Sequence, residues 1–249
     1  VASLNLCTDS LLFELLDNDR IASVTSLSRD ANLSHYHARA LAVAINRGAV
    51  EEIIEPRPDL VVTGDNTALL ARQLLERLGI AVLSLPTANT LADYRQNLRA
   101  LAARLDELPR AEQILAVLDQ TIAEPLPPAT PAPRALLYQP NGFTPGRASL
   151  MHDLLRLAGL RNVAAEPGLE FGAYLSLEEL LAAAPDVLVT SAREDATPSL
   201  AEALLEHPAL GRLRATDGTP PRRVAVPESL WTCAGVHSAA AVLRLRAVR

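Results

Sequence analysis

The chain has 249 residues, 49% hydrophobic and 21% charged, with a formal net charge of −6 at neutral pH. That length holds one large domain or two of about 110–130 residues, and the composition is globular, not disordered or fibrous. The acidic balance excludes a general nucleic-acid binder, which carries a basic face, and no apolar run reaches the ~18–20 residues of a membrane span.

Residues 1–6 read as a short apolar strand that stops at Cys7-Thr8-Asp9, where Thr8 or Asp9 caps a helix beginning at Ser10. Their start, VASLNL, lacks a basic n-region, so the protein is either cytosolic or exported with its signal removed. A second strand is expected over 20–26, followed by a polar, irregular stretch to residue 46 with a short helical piece near its end. Residues 51–64, EEIIEPRPDLVVTG, give a helix over 49–55, a stop at Pro56 and Pro58, and a strand over 60–63. Asp65 and Asn66 make a turn, 67–78 is an amphipathic helix ended by Gly79, and 80–85 is a strand. This β-α-β-α-β order with short connections implies a mainly parallel sheet with helices on both faces. Helices follow over 90–105 and 109–122, the second opened by Pro109.

The proline-dense stretch 124–133, EPLPPATPAP, is the clearest break and reads as a semi-rigid connector. Beyond it the pattern restarts: strand 135–139, loop 140–146, helix 149–157, a short strand at 162–164 and an irregular stretch over 166–174. A helix over 176–183 and a strand over 186–190 carry EELLAAAPDVLVTS (178–191), a second copy of the 51–64 motif. Glu51/Glu178, Glu52/Glu179, Pro58/Pro185, Asp59/Asp186, Val62/Val189 and Thr63/Thr190 recur at one offset, too far apart for a solenoid period. Two related α/β lobes are expected: 1–108, a bridging helix with connector over 109–133, and 134–249. The last elements are a helix over 197–205, a strand over 223–227, a loop over 228–235 and a final helix from about Val236.

In parallel α/β sheets ligands bind beyond the carboxyl ends of the strands. Those ends carry Cys7-Thr8-Asp9, Asp65-Asn66, Gln139-Pro140-Asn141 and the loop from Ser229 to Cys233. Six of the eight aromatic residues fall at or beside these loops: Tyr36, Tyr138, Phe143, Phe171, Tyr174 and Trp231. Two lobes joined by a helix are expected to face these ends across a cleft. There is no G-x-S-x-G elbow, no H-E-x-x-H and no phosphate loop. Cys7 and Cys233 are open to two readings, a disulfide or two buried thiols. A rival reading makes the chain a metal-dependent α/β enzyme, with Cys7, His35, His37 and Cys233 as ligands. Glu51 and Glu178 open equivalent helices; stabilisation by the helix dipole, ~0.3–1 kcal/mol, and contact with a two-fold symmetric partner both account for the pair.

The glutamate–helix–PDLV units, the stretch LYQPNGFTPGRASLMHDLLRLAGLRNVAAE and PESLWTCAG near the end together resemble class III periplasmic substrate-binding proteins. These are the helical-backbone receptors of ABC importers for ferric siderophores, vitamin B12 and haem, and the likeness covers essentially the whole chain. It implies two parallel-sheet α/β lobes bridged by a long helix, a ligand cleft between them, a periplasmic location, a monomer without intrinsic cofactor, and no enzymatic activity. Its bound ligand would be a ferric siderophore, corrinoid or haem, delivered to ABC permease subunits. The family's docking glutamates match Glu51 and Glu178. Its ligand positions match Cys7, Thr8, Asp9, Asn46, Arg47, Asp65, Asn66, Tyr138, Gln139, Tyr174 and Trp231. Ile45-Asn46-Arg47 stands where the vitamin B12 binder has an aromatic, and Arg29, Arg47 and Arg147 are candidates against an anionic chelate.

Overall fold

The computed structural model describes residues 1–124, 131–166, 168–192, 205 and 207–249. Packing divides the chain into two units, Val1–Asp119 with Thr232–His237, and Gln120–Trp231 with Ser238–Arg249. The expected bridging stretch is therefore divided, and a short segment near the end of the chain packs with the first unit.

In the first unit β1 (Ala2–Ser3) leads into α1 (Leu6–Leu15), then β2 (Val24–Thr25), α2 (His37–Ala40), β3 (Ile45–Asn46), α3 (Val50–Ile54) and β4 (Val61–Gly64). The helix α4 (Leu69–Arg77), β5 (Val82–Leu85) and α5 (Leu91–Leu105) follow, and α6 (Leu108–Ile122) runs across the division. The parallel order is β1-β4-β5, with Ala2 opposite Val61 and Val61 opposite Val82; β2 and β3 form a separate parallel pair. Ala2, Leu4, Ile53, Val61 and Leu75 form the core under α3 and α4. Several boundaries differ from expectation: the strand expected over 20–26 is only Val24–Thr25, the one over 162–164 is Arg161–Asn162, and the expected loop 140–146 contains a short strand, Phe143–Pro145. The α1 cap is Asn5, whose side chain accepts from the amides of Cys7 (2.8 Å) and Thr8 (3.4 Å), so Cys7, Thr8 and Asp9 lie in the first helical turn. Asn5 has the extended backbone an N-cap requires, and the strand ends at Ser3, two residues earlier.

The second unit contains β6 (Arg134–Leu137), β7 (Phe143–Pro145), α7 (Leu150–Leu157), β8 (Arg161–Asn162), β9 (Gly172–Tyr174), α8 (Leu177–Ala183), β10 (Val187–Ala192), β11 (Arg222–Pro227) and α9 (Ser238–Arg246). Its parallel sheet has the order β11-β10-β6-β8. Leu136, Tyr138, Leu180, Leu188, Leu210 and Leu213 contribute to its core. The stretch read as irregular contains β9, which pairs antiparallel with β7. Gly172, at φ +137°, supplies a backbone there that a β-branched residue would not. All but residue 205 of the helix expected over 197–205, and most of the proline-rich connector, lie outside the described residues.

The repeated motif builds the same backbone twice. Arg57 and Ala184 stand at equivalent positions, after α3 and α8, and both adopt left-handed conformations, with φ of 50° and 44°. That reversal turns each helix into Pro-Asp and the next strand. In the second copy Asp186 accepts from the Arg134 amide (2.7 Å), and the Arg134 guanidinium donates to the carbonyls of Ala183 and Ala184. The cation thereby satisfies the helix's last acceptors.

Candidate functional site

The two glutamate pairs divide their labour in the same way in both copies. The second glutamate of each pair folds back on the backbone: Glu52 accepts from the Arg47 amide (2.7 Å), and Glu179 from the Ser176 amide (2.7 Å). Glu179 and Ser176 complete a reciprocal capping box. Glu51 and Glu178 are exposed in the first turns of α3 and α8, and among the described residues neither carboxylate has a hydrogen bond or ion pair. A capping role is already filled by the neighbour, which leaves the first glutamate of each pair available.

Around the amino end of α1 the side chains form a closed framework. Cys7 and Cys233 are joined by a disulfide. The Thr8 hydroxyl donates to the Asn5 carbonyl (2.9 Å) and lies 2.7 Å from the Ser3 hydroxyl. Asp9 accepts from the Thr25 amide (3.1 Å), the Thr25 hydroxyl (2.5 Å) and the Ser28 hydroxyl (2.7 Å), while burial pushes its carboxyl above the usual range. Asn46 donates to the Ser3 carbonyl (2.9 Å) and the Ser23 hydroxyl (3.0 Å). Thr8, Asp9 and Asn46 are all buried, so their side chains tie α1 to β1, β2 and β3. Arg29 is spent on the carbonyls of Ala40 and Val43. Arg47 is exposed and pairs loosely with Glu52 at 3.7 Å. Asp65 and Asn66 are exposed just past the end of β4, where the Thr87 hydroxyl donates to Asp65 (3.4 Å).

Deeper in the first unit lies a polar cluster. The fully buried Glu14 accepts from the hydroxyls of Tyr94 (2.6 Å) and Tyr36 (3.1 Å) and from the Val236 amide (3.1 Å). Desolvation dominates, raising its carboxyl to about 7. The same burial, with Glu14 beside them, holds the Tyr36 and Tyr94 phenols well above their ordinary range. His237, also buried, is pushed down to about 3 by desolvation, and its ring stacks on exposed His35 at 4.8 Å. Glu14 is an acid inside the apolar run LLFELL. That mismatch was the one available sign in the sequence that the helix faces a polar partner.

In the second unit the paired β7 and β9 present aromatic rings on a close-packed backbone. Tyr174 and Phe171 are 72% and 82% exposed, and Phe143 packs 5.3 Å from Tyr174. A Cβ at Gly142 would meet the Leu175 carbonyl oxygen at 2.3 Å, and one at Gly146 would meet that of Leu169 at 2.4 Å. Amides of Gly146, Arg147, Ala148 and Leu175 lace the two segments together. Exposed rings on so tightly bonded a ribbon are presented surfaces. Tyr138 is buried and its hydroxyl donates to the Leu175 carbonyl (3.2 Å), which supports the ribbon from beneath. Gln139, half-buried, lies two residues past the end of β6, and its amide donates to the Phe143 carbonyl. Arg147 is held to the Ala165 carbonyl (3.4 Å). Trp231 is half-buried, with an indole N–H that has no partner among the described residues.

The periplasmic binding protein family model matches residues 1–218. The chain belongs to the periplasmic binding protein family. Solved structures share its fold across nearly its full length. The periplasmic haem-binding protein RhuT from Roseiflexus sp. RS-1 is 20% identical, with a TM-score of 0.77 over 99% of this chain and 97% of that one. The haem-binding protein HutB of Vibrio cholerae is 17% identical at TM-score 0.77, covering 99% and 96%. A periplasmic haem-binding protein from Pseudomonas aeruginosa is 24% identical at 0.72, covering 99% and 90%. No curated protein matches the sequence.

A periplasmic binding protein captures its solute without transforming it, so the chain is not an enzyme. The rival metalloenzyme reading also fails on its ligands. Cys7 and Cys233 are consumed in the disulfide, which removes both thiolates, and no cluster of three or more His, Cys, Asp or Glu suited to a metal occurs among the described residues. His35 stacks on His237, whereas the His37 ring lies 3.2 Å from the Ser34 carbonyl.

Proposed function

We propose that this periplasmic binding protein is the solute-binding component of an ABC importer for a metal chelate, with haem the first candidate ahead of corrinoids and ferric siderophores. Glu51 and Glu178 dock it to the permease, each against an arginine of one of two subunits. The observation that carries the docking role is their matched freedom: two equivalent carboxylates are exposed and unengaged, while Glu52 and Glu179 do the local capping. An exposed carboxylate keeps its hydration until a partner arrives, and a two-fold partner explains why the charge is duplicated.

The ligand reading rests on the rings and polar groups offered near the strand carboxyl ends. Tyr174 with Phe171, and Trp231, offer flat apolar contact to a macrocycle. Asp65, Asn66, Arg47 and Gln139 offer polar contacts to its substituents. Cys7, Thr8, Asp9, Asn46 and Tyr138 act by holding the loops, since a disulfide or internal hydrogen bonds occupy their side chains. The solved relatives RhuT and HutB, described as haem-binding, favour haem among the chelates.

The test is titration of the purified protein with haemin, cyanocobalamin and a ferric hydroxamate, following visible absorbance and the fluorescence of Trp231, the sole tryptophan. Saturable binding of haemin with a shifted absorbance band and quenched emission supports the reading. Binding of cobalamin or the hydroxamate alone replaces the ligand and retains the importer. No binding of any of the three overturns the chelate assignment.

A further inference from the structure

The two segments that carry the exposed rings of the second unit pair in one register: Phe143 lies opposite Tyr174, Thr144 opposite Ala173 and Pro145 opposite Gly172. Positions 143, 172 and 174 therefore share one face of the ribbon, with 172 the diagonal neighbour of 143. Residue 172 is a glycine, and it leaves that diagonal empty. A Cβ there would meet Phe143 Cζ at 3.0 Å and Cε2 at 3.1 Å, so the Phe143 ring occupies the space a side chain at 172 would need. The φ of +137° at this position also disfavours every residue but glycine. Backbone and slot demand the same residue.

Phe143 is itself held at its backbone. Its amide donates to the Pro140 carbonyl, and its carbonyl accepts from the Gln139 amide (2.9 Å). Immediately beyond Tyr174, the Leu175 amide donates to the Gly142 carbonyl (2.9 Å). With both backbones fixed, the two rings meet at a centroid distance of 5.3 Å, inclined at 60°. Aromatic pairs attract in this tilted range, which favours the packed rotamer by about two- to tenfold. Phe171 provides the contrast. It is exposed, its carbonyl accepts from the Gly146 amide, and its ring meets no other ring among the described residues. Of the two presented rings, one is braced and the other is not.

We propose that Phe143 is a positioning residue: seated in the Gly172 slot, it holds the Tyr174 ring in one rotamer before any ligand arrives. Tyr174 is then a preorganised platform for a planar, conjugated ligand. The platform rests on the reading of Tyr174 as a ligand contact; the brace does not. An exposed tyrosine that must be immobilised on binding costs affinity, and a brace already present in the free protein removes that cost. Phe143 does this without touching the ligand. Freeing the ring is expected to weaken binding by roughly two- to tenfold, the cost of ordering one side chain.

The experiment has a ligand-free arm and a binding arm. With four tyrosines and three phenylalanines in the chain, ring-labelled protein gives few enough NMR signals to assign, Tyr174 by its loss in Tyr174→Phe. In the free wild type, Tyr174 should show one χ1 rotamer and nuclear Overhauser contacts to the Phe143 ring. The rotamer should average in Phe143→Leu and stay fixed in Phe143→Tyr, which keeps the ring. A Tyr174 ring that averages in the wild type, or is unchanged in Phe143→Leu, overturns the brace. Binding is read with haemin. Phe143→Leu should raise the Kd by roughly two- to tenfold, Phe143→Tyr should restore it, and Phe143→Leu/Tyr174→Ala should bind as Tyr174→Ala does. Losses that add, or a wild-type Kd in Phe143→Leu or Tyr174→Ala, overturn the platform. If haemin does not bind the wild type, the chelate reading fails, and the ligand-free rotamer alone decides the brace. If Phe143→Leu does not fold, the wild-type Tyr174 rotamer decides in the same way.

Discussion

Removing the Cys7–Cys233 disulfide is the sharpest perturbation of the way residues Thr232–His237 are held in the first unit. The two cysteines are 226 residues apart in sequence, so the bond closes almost the entire chain into a loop in the unfolded state. The chain-entropy relation then gives about 5 kcal/mol of stabilisation for a loop of this length. For a protein of this size each kcal/mol moves the thermal midpoint by roughly 2–4 °C, so Cys7→Ala/Cys233→Ala is expected to melt about 10–20 °C lower. The assay is thermal unfolding followed by circular dichroism, without reductant, on the double variant and the wild type. Alanine avoids burying a hydroxyl at Cys233, which is only 3% exposed. The hydrogen bond from Val236 to Glu14 involves neither cysteine, so the loss is expected to come from the unfolded state. A midpoint within about 3 °C of the wild type would refute the reasoning, because a cross-link of this span cannot leave the unfolded ensemble unchanged.

Charge reversal at both docking positions, Glu51→Arg/Glu178→Arg, should abolish transport in a reconstituted system and leave the ligand Kd unchanged; a weakened Kd would end the docking role. Glu14→Gln should gain stability relative to the wild type as pH rises from 4.5 to about 7. The sign follows from a raised folded-state pKa: the native state takes up a proton in that window, so wild-type stability is full below it and is lost as pH rises through the folded pKa, by up to ~3 kcal/mol. His237 contributes in the opposite sense, its stabilisation being lost as pH falls from 6.5 to about 3, and comparing the two proteins by urea unfolding at each pH cancels it. Gly142→Ala, at φ +80° with its Cβ 2.3 Å from the Leu175 carbonyl oxygen, should cost roughly 1–3 kcal/mol in the same assay and weaken chelate binding by disturbing the Tyr174 ribbon. A neutral result there would mean the β7 and β9 ribbon is not closely constrained.

Much of this protein was legible in its residues. The helix-Pro-Asp-strand repeat announced two α/β units because periodicity, proline stops and apolar runs are local signals, and both copies fold alike down to the left-handed residues Arg57 and Ala184. The doubled glutamates, and the family likeness, were written there too. What the sequence could not contain was the destination of groups that meet across long separations. It left Cys7 and Cys233 open, and only folding brings their Cα atoms to 5.0 Å. It offered Thr8, Asp9, Asn46 and Tyr138 by position, whereas burial decides that their side chains bond inside the fold. The β7 and β9 ribbon escaped because its pairing depends on glycines that admit a backbone neighbour, not on a period. The deepest case is Glu14: one acid in an apolar helix is visible in sequence, but its meaning depends on Tyr36, Tyr94 and the adjacent Val236 and His237 arriving from three distant places. A carboxyl's protonation is set by the solvent and donors around it, and those are assigned only by tertiary structure.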